Sequence, residues 1–129
     1  VQSNGYANLR CNGNPGCPAE IQLHRDQPKP DASRTTESNM VTAWRAMLNS
    51  TPPDTISVAC CAQFAVTSKQ VLQRPRSDYE RYRHWLIDTK LDDDSSGRIF
   101  EYLWHVIFGR DPVYCPDMGT CYCNVYNRC

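Results

Sequence analysis

The chain has 129 residues, with 14 basic and 14 acidic side chains, 8 cysteines and 40% hydrophobic residues. That length gives a single domain with a modest core, and the even charge balance argues against nonspecific nucleic-acid binding or attraction to anionic membranes, both of which need surplus Lys and Arg. No apolar run approaches the ~20 residues of a membrane span, and so many cysteines without a C-x2-C or H-x3-H knuckle exclude a standard zinc motif and point to disulfides formed in a secreted, oxidising setting.

Residues 1–31 are rich in Asn, Gly and Pro and read as a loop-rich arm with little regular structure, in which Cys11-Asn-Gly-Asn-Pro-Gly-Cys17 forms a tight turn. Cys11 and Cys17 are near enough to bond each other, and each can equally tie the arm to the body. His24 stands alone in a Pro-rich stretch, with no local partner for a ligand role. A helix is predicted around Ser38, with Val41, Trp44, Met47 and Leu48 at helical spacing and Pro52-Pro53 ending the segment. Asn49-Ser50-Thr51 is an N-glycosylation sequon in the polar turn that follows.

Ile56 to Val66 is uncharged and β-prone, suited to a buried strand or two that carry Cys60 and Cys61. Side chains alternate along a strand, so these neighbours are expected to face opposite ways and reach different partners rather than each other. Ser68 is placed to cap a short helix through Leu72. Ser77-Asp-Tyr-Glu80 reads as a capping box for a longer one to about Thr89, with Tyr79, Tyr82 and Leu86 as its buried stripe.

Asp92, Asp93 and Asp94 precede a helix predicted over Arg98–Phe108, where negative charge favours the N-terminal end and Gly109 can terminate it. Ile99, Tyr102, Leu103, Val106 and Ile107 make one apolar face and Phe100, Trp104 and Phe108 a second, leaving Arg98, Glu101 and His105 as a polar stripe. Cys115, Cys121, Cys123 and Cys129, with Tyr114, Tyr122 and Tyr126, form a stapled tail. The expected fold is α+β and helix-rich, a small disulfide-stapled domain of about three or four helices with a short β-sheet. It is organised as an arm (1–31), a helical body (38–109) and a Cys-rich tail (110–129). With no initiator Met and no signal-type apolar segment ahead of Val1, it reads as a mature, processed chain.

Glu101 and His105 stand at i and i+4, so a carboxylate can orient an imidazole for acid/base work. The ordinary alternative is an ion pair covering a helix. Glu80 and His84 repeat the spacing amid Arg74, Arg76, Arg81 and Arg83, and two histidines with arginines to hold a phosphate can compose a nuclease site. The alternative there is a solvated helix face. Asp92-x-Asp94-x-Ser96-Gly97 imitates the first half of a calcium loop, but Leu103 stands where the bidentate Glu belongs, so it reads as an acidic helix start. The even cysteine count leaves no spare thiol as nucleophile, and no metal or cofactor is expected.

Gly5–Cys11 (G-Y-A-N-L-R-C), Pro15–Glu20 (P-G-C-P-A-E), Cys60–Val66 (C-C-A-Q-F-A-V) and Gly97–Gly109 (G-R-I-F-E-Y-L-W-H-V-I-F-G) together resemble the C-terminal half of the fungal domain of unknown function 3431. Longer members carry an N-terminal half similar to the nucleotide-sugar-binding portion of A-type glycosyltransferases. The resemblance therefore implies Glu101 as an acidic candidate on an acceptor side, with no strand-end D-x-D ahead of it, in a shortened or proteolytically matured form that its disulfides hold together. The expected function is that of a secreted fungal protein, effector-like, cytotoxic or antifungal, meeting an extracellular or cell-surface target as a monomer. The alternatives are a ribonuclease-like hydrolase or glycan-acting enzyme using Glu101, His105 and His84, and a carbohydrate-binding module using exposed Trp44, Tyr114, Tyr122 or Tyr126.

Overall fold

The computed structural model describes residues 4–23 and 35–129; His24 lies outside the described residues. In chain order the elements are β1 (Tyr6–Asn8), β2 (Ile21–Gln22), α1 (Thr35–Leu48), β3 (Thr55–Val58), β4 (Phe64–Val66), α2 (Ser68–Val71), α3 (Arg76–Asp88), α4 (Asp93–Glu101), α5 (Trp104–Ile107), β5 (Val113–Tyr114) and α6 (Met118–Tyr126). The class is the expected helix-rich α+β. Helices α2 and α5 are single turns of four residues.

The arm holds more structure than its composition suggests. β1 pairs antiparallel with β4, with Tyr6 opposite Val66, and β2 pairs antiparallel with β3, with Ile21 opposite Ile56. Strands of two or three residues are too short for an alternating pattern to register in sequence. They form because β3 and β4 offer them hydrogen-bonding edges. β5 runs parallel to β3, so the three-stranded sheet β2-β3-β5 gathers arm, body and tail onto one strand.

Inside that sheet Ser57 is fully buried, its hydroxyl donating to the Gly16 carbonyl at 2.6 Å and accepting from the Glu20 amide at 3.0 Å. Only glycine fits at position 16: φ is +116°, and a Cβ would lie 2.1 Å from the Val58 carbonyl oxygen.

Helix α1 turns Met40, Ala43, Trp44 and Met47 inward at helical spacing and packs on α3 and α4. Asn49, exposed and in the left-handed region at φ 51°, closes it. Helix α3 starts one residue before the expected capping serine, with Pro75 at the N-cap. Tyr82 on it is buried, but Leu86, expected in the buried stripe, is 46% exposed.

The helix predicted over Arg98–Phe108 is in fact two. Asp92 caps α4 by accepting from the Ser95 amide, α4 ends at Glu101, and the chain turns at Tyr102 and Leu103 before α5. A straight helix apolar on nearly every side would need cover all round. The turn instead buries Ile99 and Phe100 from one segment and Ile107 from the next. The unsatisfied carbonyls at the end of α5 are met by side chains from before α3: Gln70 donates to Phe108 O, and Arg74 to Ile107 O and Val106 O.

Every cysteine is bonded. Cys11–Cys121 and Cys17–Cys115 join arm to tail, so Cys11 and Cys17 do not bond each other, and Cys123–Cys129 closes the tail. The fourth bond overturns the expectation drawn from strand alternation, for Cys60 and Cys61 are bonded to each other. Strand β3 has ended at Val58, and the chain turns with φ 87° at Cys61 and 50° at Ala62, so the alternation that separates strand neighbours does not reach the pair.

Loop closure ranks these bonds. The arm-to-tail links span sequence separations of 110 and 98, worth about 4–5 kcal/mol each in chain-entropy terms, while a bond between neighbours constrains almost no chain. Denaturant unfolding of a Cys11→Ala/Cys121→Ala chain should therefore show a loss of about 4 kcal/mol. A Cys60→Ala/Cys61→Ala chain should lose less than half of that, and equal losses would refute the ranking.

Candidate functional site

The polar stripe Arg98, Glu101 and His105 is taken apart by the break between α4 and α5. Arg98 faces solvent. Glu101, the last residue of α4, accepts from the Cys61 amide at 2.9 Å. His105 is fully buried and its Nε2 lies 2.8 Å from the Pro112 carbonyl, which can only accept, so the ring carries its proton on Nε2. Nδ1 is buried without a partner among the described residues, and burial lowers the pKa of the ring. His105 is thus a neutral core histidine that pins α5 to the segment leading into β5.

Among the described residues no hydrogen bond or ion pair joins His84 to Glu101 or His105. His84 is exposed on α3, beside a shallow depression shared with Ala46, Arg81, Trp85 and Asp88. Glu80 is paired with Arg76 in solvent. The arginines are occupied separately: Arg74 caps α5, and Arg81 donates to Met47 O and pairs with Asp78. The three aspartates serve the start of α4, where hydrogen bonds from Ser95 hold the Asp92 carboxyl below its usual range.

The aromatic residues considered as sugar platforms also separate. Trp44 is buried, its indole N–H donating to the Ser50 hydroxyl. Tyr114 lies edge-on to Tyr6 with Arg110 over its ring. Tyr122 and Tyr126 are exposed on α6, but their rings are tilted by 43° and so do not share one plane.

A groove that sequence reasoning did not single out opens between α3 and α4. It has a volume of about 560 Å³ and is lined by Tyr79, Tyr82, Leu86, Phe100 and Trp104, with Arg83, Asp93, Ser96 and Gly97 completing it. Phe100 and Trp104 lie 5.1 Å apart, and Trp104 stacks on Phe108 within 9°. The hydroxyl of Tyr79 donates to Val71 O, while that of Tyr82 is buried and has no partner among the described residues. Its burial pushes its pKa up. Gly97 faces open space, with no heavy atom within 4 Å of where a Cβ would stand. The available signals were a glycine inside a helix, Leu86 one turn beyond Tyr82, and Phe100 and Trp104 at i and i+4, but which face of α3 lies opposite them depends on tertiary packing that helical spacing does not show.

Residues 1–124 match the model of a family described as protein of unknown function (DUF3431), and the chain belongs to that family. No curated protein and no solved structure matches it. No helix among the described residues is long and apolar enough to cross a membrane.

The state of His105 sets a pH dependence. Burial holds its folded pKa below the ordinary histidine value of 6.5, so between those values the unfolded chain holds a proton that the folded chain rejects. Its contribution is complete above the unfolded pKa and is lost as pH falls toward the folded one. Relative to a His105→Gln chain, the native chain should lose stability between about pH 7 and pH 5, by at most about 1.4 kcal/mol per pH unit. A stability difference that stays flat across that range in chemical denaturation would show that the ring titrates normally.

Proposed function

We propose that this member of the DUF3431 family is a secreted, disulfide-braced binding protein, and that any effector-like, cytotoxic or antifungal action outside the cell runs through a small molecule held in the α3–α4 groove. The observation that carries this reading is an aromatic groove of about 560 Å³ between α3 and α4. Ligand sites are typically concave and mostly apolar, with a few polar groups that fix orientation.

The chemistry of the lining defines the ligand class. Ring faces and edges from Tyr79, Phe100 and Trp104 favour a flat ring system. Arg83 and Asp93 offset each other in charge, which selects a neutral molecule. A sugar, polar on every edge, would leave its hydroxyls unmatched against this lining. Catalysis has less support, because Glu101, His105 and His84 are each committed to separate surroundings.

A neutral planar probe such as phenylnaphthylamine should bind with micromolar affinity and be displaced by hydroxylated polycyclic compounds. Gly97→Leu, whose Cβ would meet no heavy atom within 4 Å and whose side chain would occupy groove space, should weaken the probe at least tenfold while the chain stays folded. Probe binding that survives Gly97→Leu unchanged would place the ligand elsewhere.

A further inference from the structure

The Cys60–Cys61 bond has no clear structural task. It joins neighbours, so it constrains almost no unfolded chain, and the arm-to-tail bonds supply the long-range bracing. It sits in a turn whose next two backbone angles, at Cys61 and Ala62, lie in the left-handed region. The turn is held from both sides: the Cys60 amide donates to Pro15 O at 3.0 Å and the Cys61 amide to Glu101 at 2.9 Å. Cys60 is buried, but Cys61 is exposed. Both sulfurs and a Glu101 carboxylate oxygen all lie within 4.8 Å of one another.

We propose that reduction of the Cys60–Cys61 bond turns this site into a binding site for one thiophilic divalent cation, Zn²⁺ or Cd²⁺, held by the two thiolates and the Glu101 carboxylate. The reductant is a dithiol. One of its thiolates attacks the sulfur of Cys61, the exposed residue of the pair, and breaks the protein S–S bond, and its second thiol closes on the mixed disulfide, leaving two protein thiols and an oxidised, cyclic dithiol. Cation binding then displaces two protons from the thiols.

Three features favour a cation over a bare dithiol. Two thiolates beside a carboxylate place three negative charges in a small space, which only a cation or protonation relieves. Two sulfurs and one oxygen make a donor set for a tetrahedral, borderline-soft ion, with a fourth position left to water. The carboxylate comes from the end of a helix and is already aimed at the turn by the Cys61 amide, so it needs no search.

The test uses the full chain carrying Cys123→Ser/Cys129→Ser, which removes the other bond with an exposed cysteine while leaving the arm-to-tail pair in place. After limited dithiol treatment, alkylation and peptide mass spectrometry should find Cys60 and Cys61 free and Cys11–Cys121 and Cys17–Cys115 intact. That chain should take up one Cd²⁺ with thiolate-to-metal absorption, and the oxidised chain none. Glu101→Gln should weaken uptake by about tenfold or more, and adding Cys60→Ser/Cys61→Ser should abolish it in a chain whose circular dichroism remains native. No Cd²⁺ uptake by a chain with both thiols free, uptake indifferent to Glu101→Gln, or reduction of the arm-to-tail bonds before Cys60–Cys61 would each overturn the proposal. None of these outcomes bears on ligand binding in the α3–α4 groove.

Discussion

The carbonyl oxygen of Pro112 accepts two hydrogen bonds, one from the Ser57 amide at 2.9 Å and one from the buried His105 ring at 2.8 Å. Those contacts decide where the tail enters the molecule. Ser57 lies on β3, whose far edge carries β2 from the arm, and its hydroxyl binds the Gly16 carbonyl. Arm, central strand, helix α5 and tail therefore meet within a few residues of one oxygen. A buried carbonyl can take two donors, and here both are supplied by groups that would otherwise be buried without partners. Tyr6 and Arg110 extend the same junction, with the guanidinium donating to Tyr6 O.

His105 reaches Pro112 from α5, which the break at Tyr102 and Leu103 separates from α4. Three features lie around that break. The end of α4 is freed to deliver Glu101 to the Cys60–Cys61 turn. Trp104 packs against Phe100 and Phe64, which lengthens the aromatic layer between β4 and the helices. The space between α3 and α4 stays open, lined by Tyr79 and Tyr82 from α3 and by Gly97 and Phe100 from α4. Helix α4 thus serves both places, lining the groove along its length and meeting the cysteine turn with its last residue, Glu101.

Much of this fold was legible as local physics. The apolar spacing around Trp44 and Met47, the acidic start at Asp92 and the termination at Gly109 each depend on a few adjacent residues, and each is present. What was not legible depends on partners distant in sequence. β1 and β2 are too short to show a period and exist through β4 and β3. The stripe of Arg98, Glu101 and His105 assumed a straight helix, and a helical wheel carries no information about a turn at its middle. The cysteine pair was misread for a related reason, since strand alternation was extended past the point where the strand stops.

The distribution of cross-links separates stability from chemistry. Cys11–Cys121 and Cys17–Cys115 brace chain ends about a hundred residues apart, and Tyr126 adds a hydrogen bond from α6 to Leu9 O. With the ends held there, the α3–α4 wall and the Cys60–Cys61 turn contribute little to global closure. Such regions tolerate strain and unsatisfied polar groups because stability is supplied elsewhere. The left-handed backbone at Cys61 and Ala62 occurs in one of them and the open aromatic groove in the other. In a chain selected only for stability, a filled groove and an unbonded turn at positions 60 and 61 would serve as well. Their presence is the physical reason to look for ligand and metal chemistry at these two places, rather than along the polar stripe that the helical spacing first suggested.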